Sequence, residues 1–386
     1  MDFQLNEQQE LLQQTVRKFA QQQCREVAAM WDRTGALPDA ELLRKMVEMG
    51  LIGMCLPEEY GGGGQELLPA ILCIEQLAAV SPLAASPVFE SNVGPVRVIE
   101  FFGNREQKAR WLPRVARGEL EISIGMSEPE AGSALTDLRT RAEACSGGYR
   151  VNGRKCFCTG GGHSGAYMVY CRVGNVPGAK GIAGLLIEKG TPGFTFGKQE
   201  HFMGMRGFPS CDLIFDDCFV PEENLIVPPG GFAALMQCFD IERCGNATMA
   251  LGLATGALEV AVEYAKGRQT FGKPICERQA IQMMVADMAT RVDAARLLVY
   301  RAAVNAGKGI PSIKETSMAK VFANETAKAV TDMAMEILGG YGYSNEYPIE
   351  RMLRDSRGWP IAGGTLQMQK IIIAALVFGR RFDQRK

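Results

Sequence analysis

The chain has 386 residues, 42 Lys plus Arg against 43 Asp plus Glu, and a formal net charge of −1. That balance excludes a broad electrostatic grip on DNA, RNA or anionic lipid, which needs a basic surplus or patch. With only two histidines, His163 and His201, a multi-histidine metal site is excluded, and a Ser-His-Asp triad has no surrounding signature.

At roughly 100–200 residues per domain the length predicts two or three domains. The start, MDFQLNEQQELL, carries neither a basic n-region nor a long apolar run. No secretory signal and no membrane span are expected, and the cytoplasm is the expected location. The twelve cysteines are scattered. Cys156 and Cys158 form one C-x-C pair with no second pair at zinc spacing, so the thiols read as reduced and largely buried.

The first ~115 residues are helical by period. Leu12, Val16 and Phe19 recur at spacings of four and three, and Asn6 with Gln9 resembles a capping box. A break falls at Leu56–Tyr60 and Gly61–Gly64. Helical patterning resumes over Leu68–Val80 and over Val93–Val115.

From about Glu121 the texture becomes strand-like. Tyr149–Val151 and Arg154–Phe157 flank Asn152-Gly153, which predicts a two-residue type I′ hairpin. Ala166–Val173, Ile182–Glu188 and Cys211–Val220 are further strands, giving an antiparallel sheet domain of about 110 residues. Helices return from Phe232, with long candidates at Ile241–Lys266, Ala280–Asn305 and Ser312–Leu338. The run Gly339–Tyr343 breaks the third, and a last helix covers about Thr365–Phe382. The expected fold is mainly α with a central antiparallel β domain, divided as 1–118, 119–230 and 231–386. No Rossmann or Walker fingerprint is present.

Five segments carry chemistry in this order. Met126-Ser127-Glu128-Pro129-Glu130-Ala131-Gly132-Ser133 ends in a Gly-Ser turn that exposes N–H groups and a hydroxyl. Lys155–Gly160 offers an aromatic face, Phe157, and a hydroxyl, Thr159, suited to a flat ring with polar edges. Gly204–Gly207 leading to Asp212–Pro221 reads as structural, a strand and its exit. Arg268-Gln269-Thr270-Phe271-Gly272-Lys273 places an Arg fork at a helix end, suited to a diphosphate. Glu336-Ile337-Leu338-Gly339-Gly340-Tyr341-Gly342, followed by Arg354-Asp355, has glycines that permit close backbone approach to phosphate.

Together, across essentially the whole chain, these segments resemble the acyl-CoA dehydrogenase family. The resemblance implies an N-terminal helical domain, a β middle domain and a C-terminal four-helix bundle. It implies FAD as cofactor, an acyl-CoA substrate, a homotetramer (or homodimer), and an electron-transferring flavoprotein as oxidant, with no nucleic acid or membrane partner. It also implies that Met126, Ser127, Gly132 and Ser133 contact flavin, Ser133 also contacting acyl-CoA. Phe157 and Thr159 would meet the flavin ring. Arg268, Thr270 and Phe271 would meet the pyrophosphate of a flavin held mainly by the adjacent subunit. Glu336, Ile337, Gly339 and Gly340 would lie along its adenosine diphosphate, Glu336 replacing the usual Gln. Thr365 and Gln367 fit a helix start facing the flavin.

The family reaction removes an α-proton with one carboxylate, usually the Glu of a Y-E-G-T segment. Here that stretch reads Ile361-Ala362-Gly363-Gly364-Thr365, and Gly363 cannot supply a base. Some relatives carry the Glu just before an Arg on the helix opening the C-terminal domain, where this chain has Asp240-Ile241-Glu242-Arg243. Glu242 is therefore the expected base. Asp240 and Arg243 match positions that line or brace the acyl-CoA channel, Arg243 reading as a brace. Ala362 and Gly363 are small, so the acyl pocket is expected to take branched, cyclic or bulky groups. The resemblance implies α,β-dehydrogenation of an acyl-CoA. Enoyl-CoA reduction, a dioxygen-dependent oxidase and a non-enzymatic flavin-binding homologue stand as alternatives.

Overall fold

The computed structural model of the chain describes residues 4–382. Seven helices come first: α1 (Glu7–Gln23), α2 (Ala28–Thr34), α3 (Ala40–Glu48), α4 (Leu67–Ala78), α5 (Pro82–Asn92), α6 (Val96–Phe102) and α7 (Arg105–Ala116). The capping box at Asn6 forms in both directions: Gln9 N donates to Asn6 Oδ1 at 2.9 Å and Asn6 N to Gln9 Oε1 at 3.1 Å. The single helix expected over Val93–Val115 is two, α6 and α7. Gly103 ends the first, and Asn104 caps the second in another reciprocal box with Gln107. Helix α5 has no counterpart in the helical spans expected from periodicity. Its buried residues include Pro82, Ala84, Ala85, Val88 and Phe89, and Pro87 interrupts its turns, so no helical period stands out.

The middle of the chain forms β1 (Ile122–Gly125), β2 (Arg141–Cys145), β3 (Gly148–Thr159), β4 (Ala166–Val173), β5 (Ile182–Glu188), β6 (Phe194–Gln199), β7 (Ser210–Pro221) and β8 (Leu225–Val227). They make one sheet in the order β6-β7-β3-β2-β4-β5-β8, with β1 added beside β4. It is mixed rather than purely antiparallel, because β4 runs parallel to both β1 and β2.

The hairpin expected at Asn152-Gly153 is not formed. Strand β3 runs straight through both residues, and the chain turns earlier, between Cys145 and Gly148. Asn152-Gly153 instead marks a bulge, where the register with β7 shifts between Val151 and Gly153. Gly153 is required there for close approach: at φ +145° a Cβ would stand 2.7 Å from the Thr140 Cα. The dipeptide tolerates positive φ in either role, so the turn signal was ambiguous.

The C-terminal part holds α8 (Phe232–Gly267), the two-residue strands β9 (Gln269–Thr270) and β10 (Lys273–Pro274), α9 (Gln279–Ala306), α10 (Ile313–Leu338), α11 (Gly340–Tyr343), α12 (Pro348–Asp355) and α13 (Leu366–Phe378). Helix α8 begins nine residues before the expected Ile241, because Leu235, Cys238 and Phe239 already bury its first turns. Its 36 residues span roughly 54 Å at 1.5 Å per residue. Between Phe239 and Ala257 it is buried on nearly every side, the mark of a core helix.

One continuous core joins α1–α5 to the bundle of α8, α9, α10 and α12. A second packs α6, α7 and the first turns of α8 against β1, β4 and β5. A third fills the other face of the sheet. All twelve cysteines are free thiols, ten of them buried. Among the described residues no helix is long and apolar enough to cross a membrane.

The helical blocks are also tied by a polar knot. Glu75, fully buried on α4, accepts from Arg296 (3.0 and 2.9 Å) and Tyr300 (2.6 Å) on α9 and from Thr255 (3.4 Å) on α8. Removing one partner of such a pair leaves the other buried without compensation. Glu75→Ala is expected to destabilise the fold by about 3 kcal/mol, read as a lower urea midpoint at unchanged slope.

Candidate active site

Strand β3 and the loop after β1 are fastened together. Cys156 N donates to Ser127 O at 2.9 Å, and Lys155 Nζ donates to Met126 O at 3.1 Å. The fully buried Lys155 also pairs with Glu128 at 2.8 Å, and Glu128 accepts from Arg139 N and Thr140 N at 2.5 and 2.9 Å. Burial pushes the Glu128 carboxyl up, but Lys155 and these donors outweigh it and hold it below its ordinary value. Both residues fall within the motifs above, in positions to which the motifs attach no role. Residues of opposite charge 27 positions apart carry no periodic signal that pairs them.

Around this anchor Met126, Ser127 and Thr159 are half-buried and Gly132 and Ser133 exposed. Phe157 stands out there, 63% exposed and held at φ +54°. A bulky side chain at positive φ is strained, and such strain recurs at ligand sites.

A chain of contacts leads from Phe157 to the bundle. Its ring lies 6.3 Å from that of Phe202. Met205 N then donates to Asp355 Oδ1 at 2.6 Å, and Phe208 packs edge-on against Trp359 at 6.2 Å. From α8, Asn246 Nδ2 reaches Trp359 O (3.3 Å) and Ala362 O (3.4 Å). The segment around Gly204–Gly207, read as structural, is thus the bridge between sheet and bundle.

Under the 359–364 loop lies Lys320 of α10, fully buried. Its ammonium donates to Gly363 O at 2.9 Å and, in a closer contact, to Ala362 O. Gly363 has φ +65°, and a Cβ there would stand 3.2 Å from Lys320 Nζ, 3.7 Å from Asn246 Nδ2 and 3.8 Å from Phe239 Cζ. Both the backbone and the surroundings therefore suit glycine. Lys320, Asn246 and Phe239 share the room expected to widen the pocket.

Glu242 projects from α8 into this region. Its carboxyl takes part in no hydrogen bond or ion pair among the described residues, and the residue is half-buried by surface although protein encloses it. Burial raises its carboxyl to about 8, against the opposing pull of Lys320. Lys320 in turn is lowered to about 7 by burial and by Arg243, with Glu242 acting the other way. Asp240 and Arg243, both buried, pair with each other. Arg243 braces its own helix, and its Nε finds no partner.

The remaining predicted residues gather elsewhere. Arg268 ends α8 with its guanidinium 5.7 Å from the Tyr341 ring centre. Thr270 O accepts from Arg278 at 2.8 Å, and Phe271 is 97% exposed at φ +50°. Glu336, Gly339 and Gly340 are exposed at the end of α10, whereas Ile337 is buried. Arg268, the C-cap of α8, lies 26 positions beyond Glu242, roughly 39 Å along the helix. One chain does not bring these two groups together. Thr365 caps α13, accepting from Met368 N at 3.3 Å, and Gln367 is exposed beside it.

Comparison with known proteins agrees with this architecture. Family models described as acyl-CoA dehydrogenase N-terminal, middle and C-terminal domains match residues 6–119, 123–218 and 229–378. An acyl-CoA dehydrogenase of Bacillus subtilis is 40% identical over 97% of this chain and 99% of its own. An acryloyl-CoA reductase (NADH) of Anaerotignum propionicum is 39% identical over 98% and 97%. A solved chain described under "Electron transferring flavoprotein of Acidaminococcus fermentans: Towards a mechanism of flavin-based electron bifurcation" superposes with a TM-score of 0.94 at 39% identity, covering 98% and 99%.

The chain belongs to the acyl-CoA dehydrogenase family. It is an FAD-dependent oxidoreductase acting on the CH–CH bond of an acyl-CoA. Its own residues fit that cofactor: the bare Phe157 face and Thr159 hydroxyl suit a flat, polar-edged ring, and exposed Arg268 beside two exposed glycines suits a diphosphate.

Lys320→Met removes the donor to two loop carbonyls and the cation beside Glu242. The Glu242 carboxyl is expected to titrate at higher pH, read by infrared difference spectroscopy, and the fold to lose about 1–3 kcal/mol for the orphaned carbonyls. An unmoved titration refutes the coupling.

Proposed function

We propose that Glu242 is the catalytic base of an α,β-dehydrogenation converting an acyl-CoA to its 2-enoyl-CoA. The observation that carries this reading is an enclosed carboxylate without a partner, beside a loop whose usual base position is Gly363. A paired structural carboxylate is held by donors; Glu242 is not. Its affinity for a proton, raised to about 8, matches a base that must take a weakly acidic α-proton. Enclosure keeps bulk water from competing for that proton.

Bound FAD supplies the acceptor for the β-hydride. Met126, Ser127, Phe157 and Thr159 are the proposed ring contacts, with Thr365 and Gln367 at the start of α13. Ser133, Ala362 and Gly363 are proposed to line the acyl-CoA channel, and Asp240 and Arg243 to brace it. Arg268, Thr270, Phe271, Glu336, Ile337, Gly339 and Gly340 are proposed to hold the cofactor's diphosphate end in a neighbouring copy. Support comes from the roughly 39 Å between Glu242 and Arg268 and from the bare Phe271 and Tyr343 side chains at that end. A homotetramer is the proposed assembly and an electron-transferring flavoprotein the proposed acceptor, the latter supported by the Acidaminococcus likeness. Twelve free thiols support a reducing, cytoplasmic location.

The reverse reaction is the second reading. A carboxyl at about 8 is mostly protonated at neutral pH and could deliver a proton to an enoyl-CoA, and one relative is a reductase.

Anaerobic mixing with acyl-CoAs tests the first reading. The wild type is expected to bleach its flavin, and Glu242→Gln to slow bleaching by ~10²–10⁴-fold with flavin still bound. Normal turnover in that variant removes Glu242 from the role. Because the base must be deprotonated, kcat/KM should climb with pH and level off above about 8.

A further inference from the structure

We propose that Glu90 determines specificity at the acyl end of this site, its carboxyl hydrogen-bonding a hydroxyl or carbonyl oxygen carried by the acyl group. The inference rests on the dehydrogenase reading above and deepens it by naming the substrate class.

Glu90 sits in the last turn of α5. Its sequence neighbour Phe89, and Val93 one turn on, press against α8 at Gly245, where a Cβ would stand 2.5 Å from Val93 Cγ2 and 2.7 Å from Phe89 Cε2. Gly245 is three residues past Glu242, so Glu90 is carried to the same stretch of α8. One carboxyl oxygen curls back over the helix end, 2.6 Å from where a Gly94 Cβ would be. Like that of Glu242, the Glu90 carboxyl takes part in no hydrogen bond or ion pair among the described residues, and the residue keeps partial accessibility although protein surrounds it. Glu121, at the foot of β1, accepts from Ser164 at 2.5 Å and faces Glu90 as a like charge.

Burial, and then the charges of Glu121 and Glu242, drive the Glu90 carboxyl well above its ordinary value. Such a carboxyl holds a proton more readily than an ordinary glutamate, and its oxygens can accept a hydrogen bond or, with that proton, donate one. Leu, Val or Ala would line a channel for a plain alkyl chain at no cost. An unpartnered acid in that place penalises an alkyl tail, which leaves it unsatisfied. A carboxylate-ended tail would bring a negative charge among three acidic groups, Glu90, Glu121 and Glu242. An oxygen substituent satisfies Glu90, and a site built to bond a substrate oxygen rejects the analogue lacking it.

The experiment compares 4-hydroxybutyryl-CoA with butyryl-CoA on the FAD-loaded enzyme, by anaerobic bleaching and, separately, by calorimetric binding. The wild type is expected to favour the hydroxylated substrate by roughly tenfold or more in both readouts. Glu90→Met, similar in length but apolar, should reverse that preference, and Glu90→Gln, which still donates and accepts, should keep it. A preference for butyryl-CoA in the wild type, or a ratio unmoved by Glu90→Met, overturns the proposal. Loss of bleaching in Glu90→Gln with flavin bound also overturns it, since Glu90 would then be doing proton chemistry. If neither substrate bleaches the wild type, the dehydrogenase reading fails, while the calorimetric ratio still decides Glu90. If Glu90→Met does not fold, the wild-type and Glu90→Gln ratios decide it.

Discussion

The candidate site turns on one buried cation. Lys320 is removed from water, and burial alone would strip its proton. What it gains in return are two carbonyls of the 359–364 loop and the nearby charge of Glu242. Asn246 and Asn324 extend this hold. Asn324 Nδ2 donates to Asn246 Oδ1 at 3.1 Å and to Lys320 O at 2.9 Å, while Asn246 reaches the same loop from α8. Helix α8, helix α10 and the loop are thereby fixed relative to one another by polar contacts in a dry interior, where each contact is strong and each omission costly. The absence of a side chain at Gly363 belongs to this arrangement, since Lys320 and Asn246 occupy its surroundings.

Helix α8 transmits that local order over a distance. Its buried first half places Glu242 beside Lys320; its last turn delivers Arg268 to the aromatic group of Tyr264, Tyr341 and Tyr347. A helix buried nearly all round through its middle is a rigid spacer, so the separation between the two groups is a fixed property of the fold. The exposed Phe271 and Tyr343 lie at the far end, the end at which the neighbouring copy is proposed to sit.

The helices of the bundle were legible because their periodicity is long and their ends carry ordinary stops: α9 and α10 fall within a residue or so of the expected spans. The hairpin failed because Asn-Gly serves a bulge as well as a turn, and only the presence of β2 and β7 on either side of β3 decides between them. In the candidate site, motif order alone is enough to nominate Glu242, Phe157 and Thr159 for the roles proposed above. Lys155–Glu128 and Lys320–Gly363 were not legible. A buried lysine in sequence looks like any surface lysine, and its partner lies 27 or 43 residues away. Glu90 was hidden for the same reason, as one acidic residue in a short, proline-interrupted helix.

The charges around Glu242 bear directly on its proposed role as the base. Asp240 and Arg243 neutralise one another on the same helix face, so the closest guanidinium is committed and does not hold Glu242 ionised. Glu90 supplies no positive charge, and Glu242 itself helps to raise the Glu90 carboxyl. Lys320 alone works the other way, and its proton is itself weakened by burial and by Arg243. The site therefore balances a carboxyl raised to about 8 against an ammonium lowered to about 7. In such a coupled pair the proton's position responds to small changes in solvation. An acyl thioester bound beside Glu242 would lower the local polarity and tighten every one of these interactions. Proton affinity at Glu242 is then set by the substrate's own fit, which makes the shape and polarity of the acyl group a determinant of rate as well as of binding.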